Sequence, residues 1–542
     1  MKRDKIKYAE LFIFLSFTLV AILPFCFVKY VPSLDGPQHL YTSRLIAELI
    51  KGNDFIGQFF TFSPLLVGNL GSQYLMAILM LVFPAWLAEK IFLSFYIIGL
   101  ALSFRYFIKS IFNNSSLLYL LIFPFAYTSL FMLGYYNFSI AFIPLFLALG
   151  YQKRHETSLG IRQTVLLALF SLLIYLSHAV VFVFFGLIIF LQMIFELAYS
   201  SIFTTDKINS WKTLAKKYLI ILASAIPAIF LWLQYYFYLK TIPENITPVA
   251  YNPISGLLTD LYSLRILIGF HHGLESGSNT LLFYLLVALS LLIIIPLHRI
   301  FPGRFTWQKV NSAERSKWTF ILLVLFGLTL FFPDKLVTAS MSVRLSILFF
   351  FGLIIWISIQ AFPKKVIIIA LFVIFAAFTW HRVIIYRFHK NLNTEIADLE
   401  DAGKFIKPQS IIFPLNCSEN WLQPHFHCYL GVDKPIIDVW NPQANGIMPL
   451  IWNYEKMPDI ILGELNKQAF GAHWVSGNDK LTPVPADYIF IWRSQKMDKD
   501  EGVTSMYEKL IPYYEQTFRS ENGNALLLQL ENFSVFSSRG LR

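Results

Sequence analysis

From residue 11 to about residue 380, apolar runs follow one another with short polar interruptions. Several approach the ~20 residues that carry a helix across a bilayer. The pattern predicts eleven spans, at roughly 9–29, 85–108, 115–132, 137–151, 163–177, 178–199, 218–238, 279–298, 318–333, 345–362 and 365–381. A further apolar run, 65–83, is excluded as a span because counting it would reverse the sides of the later basic loops. It is expected as an interfacial or re-entrant helix within a long first outer loop. Beyond residue 388 the pattern changes to short β-rich runs, Ser410–Pro414, Pro435–Trp440 and Ala486–Trp492. A helix over Thr504–Tyr514 then precedes a hairpin, Glu515–Arg519 with Ala525–Glu531, turned at Asn522-Gly523. The expected fold is an α-helical polytopic membrane protein, residues 1–387, carrying a small outer α/β domain, residues 388–542.

Composition sharpens this. Of the 542 residues, 56% are hydrophobic and 14% charged, where a soluble protein carries about a quarter charged residues. The deficit rules out a disordered chain and argues strongly against a water-soluble enzyme. The net charge of +11 divides into +14 over residues 1–380 and −3 over residues 381–542. With the N-terminus placed inside, the inner loops hold 20 Lys and Arg against 8 on the outer side, as the positive-inside rule requires. The basic excess therefore reports topology and no nucleic-acid partner, and eleven spans leave the C-terminal domain outside. No Walker A loop, G-x-G-x-x-G, H-E-x-x-H or C-x-x-C is present.

The segment VPSLDGPQHLYTSRL, residues 31–45, carries the most chemistry. Gly36-Pro37 predicts a turn into a helix, with Pro near its first position, and that puts Asp35 near the N-cap. A helix cap and a reactive carboxylate are both open readings of Asp35. His39 and Arg44 follow it. Elsewhere on the outer side lie His178 at a polar break between two spans, Arg344 at the mouth of a span, and Arg265 ahead of His271-His272 and Glu275. Of three cysteines, Cys26 is expected to be inert packing, while Cys417 and Cys428 are a candidate disulfide in an oxidising compartment. The interleaved His425 and His427 give only a weak metal spacing.

A first-loop Asp, a long outer loop and a C-terminal outer domain resemble the GT-C superfamily of integral membrane glycosyltransferases. The D-G-P-x-H-L pattern, Asp35 to Leu40, is similar to a little-characterised bacterial group, as are GYYNF (Gly134–Phe138), YLSH (Tyr175–His178) and Val343-Arg344. The resemblance implies a bacterial inner-membrane enzyme with a cytoplasmic N-terminus and a periplasmic domain. It would transfer a sugar from a polyprenyl-phosphate donor to a glycan, lipid or protein acceptor on the outer face. Asp35 would be the general base of an inverting displacement, with His39, Arg44, Tyr136, Asn137, His178, Arg265 and Arg344 as substrate-binding candidates. One departure stands out. Where many members carry a second acid in the next outer loop, this chain has Asn137, which cannot hold a divalent metal strongly. Metal dependence thus stays open, and two alternatives remain: a catalytically inactive envelope-assembly relative and a lipid-linked glycan transporter.

Overall fold

A computed structural model of the chain describes residues 2–112, 117–203, 207–240, 248–295, 312–335, 340–441, 443–444, 447–453, 486–499, 503–504, 507–508, 511 and 514–531. They divide into two compact units. One comprises residues 1–27, 66–71 and 93–388; the other comprises 28–65, 72–92 and 389–542. The helix Lys364–Gly403 runs through the predicted boundary at residue 388, and the second unit takes in residues 28–65 and 72–92 as well as the tail.

Among the described residues, seven helices are long and apolar enough to cross a membrane: Tyr8–Cys26, Ala85–Ile111, Ala179–Phe203, Trp211–Lys240, His272–Ile294, Met341–Ser358 and Lys364–Gly403. The chain is a multi-pass membrane protein. Four of the eleven predicted spans do not take this form. The run at 115–132 is broken into Leu117–Leu121, Ile122–Ala126 and Ser129–Met132, the last started by Thr128, whose Oγ1 accepts from the Phe131 N–H at 3.2 Å. The run at 137–151 is divided into Tyr136–Ile140 and Phe142–Arg154, because Pro144 has no N–H to donate to the Ile140 carbonyl. Ile161–Ser177 is 17 residues long, and Ser312–Phe331 opens with Glu314, Arg315 and Lys317. The apolar run at 65–83 contributes a helix of 10 residues, Gly71–Met80, which at about 15 Å is too short to cross.

In the first unit, backbone bonds from Leu70 N to Leu176 O (2.9 Å) and from Ala179 N to Gly68 O (3.0 Å) tie residues 66–71 to the Tyr175–His178 turn. A Cβ on Gly68 would lie 2.7 Å from that of Ala179, so the approach requires glycine. A closed set of charges joins four helices: Lys153 binds Glu156 and Glu314, Lys317 binds Glu314 and Glu196, and Lys217 binds Glu196, at 2.6–3.0 Å. Three cations meet three carboxylates, which makes such polarity tolerable in an apolar bundle.

The second unit holds two sheets. In the small one, β1 (Phe60–Phe62) pairs antiparallel with β4 (Leu450–Trp452). The larger contains β2 (Ile411–Asn416), β3 (Ile437–Asp438), β5 (Tyr488–Trp492), β6 (Tyr514–Arg519) and β7 (Ala525–Leu530), ordered β3-β2-β5-β7-β6. Strands β3, β2 and β5 run parallel, whereas β7 is antiparallel to β5 and to β6. All five residues of β5 are buried, as expected for a strand covered on both faces. The three predicted β-rich runs fall on β2, β3 and β5, and the predicted hairpin is β6–β7. Its turn glycine, Gly523, has φ +68°. The predicted helix Thr504–Tyr514 lies largely outside the described residues.

The helix Gly36–Ile50 packs on a short 3-10 helix, Phe426–Gly431. Tyr41 fastens it further: its hydroxyl donates to Ile436 O and accepts from Asp438 N–H, both at 2.9 Å.

Candidate active site

Asp35 stands at the N-cap of Gly36–Ile50 with φ −98° and ψ −9°, and its side chain makes no capping hydrogen bond. The capping expectation is therefore corrected. An N-cap side chain reaches the first amides from an extended backbone, which Asp35 does not have. Ser33 Oγ takes the Gly36 N–H instead, at 3.0 Å.

The freed carboxylate faces His425, with Oδ1 3.9 Å from Nε2, too far for a hydrogen bond. Burial pushes the Asp35 carboxyl up to about 6. Burial, with His427 and His39 nearby, pushes His425 down to about 3, so it faces Asp35 as a neutral imidazole. One turn along the helix, His39 donates its backbone N–H to the Asp35 backbone carbonyl and sets its ring Nδ1 2.6 Å from Gln73 Nε2. Arg44 is directed elsewhere, pairing with Glu48 at 2.9 Å.

Asp35 differs from its peers. Among the described residues, every other buried or half-buried carboxylate accepts at least one hydrogen bond. Glu10 takes Arg105, Glu48 takes Asn53, Glu89 takes Val31 N–H and Glu156 takes Lys153. Glu196 takes Lys217, Glu275 takes Gly269 N–H, Glu314 takes Lys317 and Asp334 takes Ser342 N–H. Glu395, Asp398, Glu400 and Asp438 take Arg493, Asn524, Lys29 and Trp440 N–H. Asp35 takes none.

Behind His425 lies a second, deeper group. His427 Nδ1 is 2.5 Å from Asp438 Oδ2, and Cys428 Sγ is 3.8 Å from the same nitrogen. Cys417, at the end of β2, and Cys428, in the 3-10 helix, are both free, so the predicted disulfide is not formed. Gln73 and Asp438 were not singled out by the sequence. An acid inside the β-rich run PIIDVW was the available signal for Asp438.

The remaining candidates belong to the other unit. Asn137 Nδ2 donates to Asn69 O at 2.9 Å, and His178 Nδ1 accepts from Val180 N–H at 3.2 Å. Between them Phe138 meets His178 edge-on at 5.3 Å and lies under the Arg344 guanidinium at 5.6 Å. Asn137, His178 and Arg344 are all buried, and Arg344 does not snorkel to a surface. Tyr136 is buried beside Phe131, with ring centroids 5.8 Å apart. Arg265 is exposed and donates to Ile268 O at 2.9 Å, which serves its own turn. The same unit carries an apolar groove of about 740 Å³ between Ala179–Phe203 and the helix that follows, lined by Phe182, Gly186, Met193, Leu222 and Trp232 among others.

No family model and no curated protein matches the chain. Among solved structures it is similar to ArnT from Cupriavidus metallidurans, solved bound to undecaprenyl phosphate, with 10% identity over 94% of this chain and 97% of that one and a TM-score of 0.42. At that score the likeness does not by itself establish a common fold.

Proposed function

We propose that the chain is a membrane glycosyltransferase that moves a sugar from a polyprenyl-phosphate donor to an acceptor hydroxyl at the outer face, with Asp35 as general base. One observation carries this reading: among the described residues, Asp35 is the half-buried carboxylate left without a donor, at a pKa of about 6. A base works best when its pKa lies near the operating pH. In the reaction the acceptor oxygen attacks the anomeric carbon and a C–O bond forms. The bond to the phosphate oxygen breaks, the lipid phosphate leaves, and the hydroxyl proton passes to Asp35. A single displacement inverts the sugar. The apolar groove, of a size and lining that suit hydrocarbon, and the D-G-P-x-H-L resemblance support a lipid-linked donor. His39, one turn along the same helix, orients the acceptor beside Asp35.

The test compares purified wild type with Asp35→Asn for sugar transfer from a radiolabelled membrane-lipid extract, with folding followed by thermal unfolding. Loss of transfer in a folded variant is expected. Equal transfer by both proteins would remove Asp35 from the chemistry.

A further inference from the structure

The buried group behind His425 is not used by the proposed reaction. We propose that His427, Cys428 and Asp438 hold a divalent transition-metal ion, zinc by the chemistry of the donors, which clasps the 3-10 helix Phe426–Gly431 to β3. Nitrogen, thiolate and carboxylate are the three donor types of protein zinc sites, and a mixed set containing sulfur disfavours magnesium and calcium. The three ligand atoms lie within 4.8 Å of one another, and all three residues are buried.

The distances fit a tetrahedral ion with little movement. Around zinc, imidazole nitrogen and thiolate sulfur sit about 3.5 Å apart, given bonds of ~2.0 and ~2.3 Å; here Nδ1 and Sγ are 3.8 Å apart. Nitrogen and carboxylate oxygen sit about 3.3 Å apart in such a site, against 2.5 Å for the hydrogen bond in place here. Opening that pair by less than an ångström admits the ion. The other carboxylate oxygen, Oδ1, is held by Trp440 N–H at 2.9 Å, and the Asp438 backbone N–H is held by Tyr41. Asp438 is thus already oriented by its neighbours, as metal-binding carboxylates commonly are. A dication with one thiolate, one carboxylate and one neutral imidazole is electrically neutral, which suits a buried site. Binding displaces the thiol proton to water, while the His427 ring proton moves from Nδ1 to Nε2 and the imidazole stays neutral. Three protein donors leave a fourth position for a water.

The test uses the full-length protein in detergent, freed of metal by chelation and titrated with Co2+. One equivalent is expected to give the thiolate-to-cobalt charge-transfer band in the near ultraviolet, and Zn2+ but not Mg2+ should displace it. Cys428→Ser should abolish the band, Asp438→Asn should weaken Co2+ binding at least tenfold, and Cys417→Ser and Cys26→Ser should keep both. A wild type that shows no such band overturns the proposal, whatever the variants do. So does a band that survives Cys428→Ser.

Discussion

Replacing Asp35 by Asn should make the protein more stable at neutral pH while abolishing its activity. The fold raises this carboxyl from its ordinary 3.8 to about 6 by burial, so it favours the neutral form. Relative to its ionised state, the residue contributes stability that is present below pH 3.8 and lost as pH rises through about 6. At 1.36 kcal/mol per pH unit, the ionised carboxylate costs the folded state about 3 kcal/mol at pH 7.5. Its side chain keeps 26% of its surface, and solvent screening brings this nearer to about 1–2 kcal/mol. Asn cannot ionise, so Asp35→Asn should unfold at a higher temperature than wild type at pH 7.5. The gain should vanish by pH 4. Wild-type transfer should fall about tenfold per pH unit below pH 6, where an ordinary Asp would hold its activity to about pH 4.5. Transfer by the variant should fall by about 10²–10⁴. The assays are thermal unfolding of the detergent-solubilised protein across pH 4–8 and sugar transfer over the same range. A pure helix cap predicts the opposite pattern, because Asn caps as well as Asp: unchanged stability at every pH and intact transfer. That pair of results would refute the reasoning.

Gly431→Ala would place a Cβ 2.5 Å from the Tyr41 ring; it should cost about 1–3 kcal/mol and reduce transfer by moving His425, whereas Gly256→Ala, with open space around it, should leave both thermal unfolding and transfer unchanged. Glu196→Ala leaves Lys217 and Lys317 without the acceptor they share and should cost about 3 kcal/mol; the double variant Glu196→Ala with Lys217→Met should recover part of that loss in the same unfolding measurement. Gly186→Leu, where an added Cβ meets nothing within 4 Å, fills part of the apolar groove; it should raise the KM for the lipid-linked donor while stability stays level or rises by up to about 0.8 kcal/mol.

Hydropathy made the long helices legible because a span must bury its backbone polarity by itself, and the run of apolar residues records that demand. The breaks were not legible. Pro144 and the Thr128 cap interrupt runs whose average hydropathy is unchanged, so a window that reads composition passes over them. The β6–β7 hairpin was legible from Asn522-Gly523, since the turn's positive φ falls on glycine. The shift between Gln516 and Phe518 in that hairpin depends on pairing and left no trace. At the site, position exposed Asp35 but local rules misread its bonding, because Ser33 competes for the same amide. His425, His427 and Asp438 join the segment around Asp35 and Tyr41 across roughly four hundred residues of chain, as the 397-residue separation between Asp438 and Tyr41 illustrates. No local pattern encodes such a meeting.

Burial and charge alone do not select a site in this chain. Glu275 is fully buried, yet it accepts N–H groups from Gly269, Phe270 and His271 at 2.6–2.8 Å and lies 3.4 Å from His381 Nε2, so its charge is answered within the fold. Arg44 is answered by Glu48, and the three lysines of the inter-helix network by their three glutamates. A polar group taken from water without a replacement partner costs about 1–3 kcal/mol, and a protein has little stability to spare for that. Asp35 has lost much of its water and gained no donor among the described residues. The proposed reaction accounts for its retention by a donor that arrives from outside. A hydroxyl group hydrogen-bonded to Oδ1 or Oδ2 would supply it, and the same contact that relieves the carboxylate places that hydroxyl's proton where a base can take it.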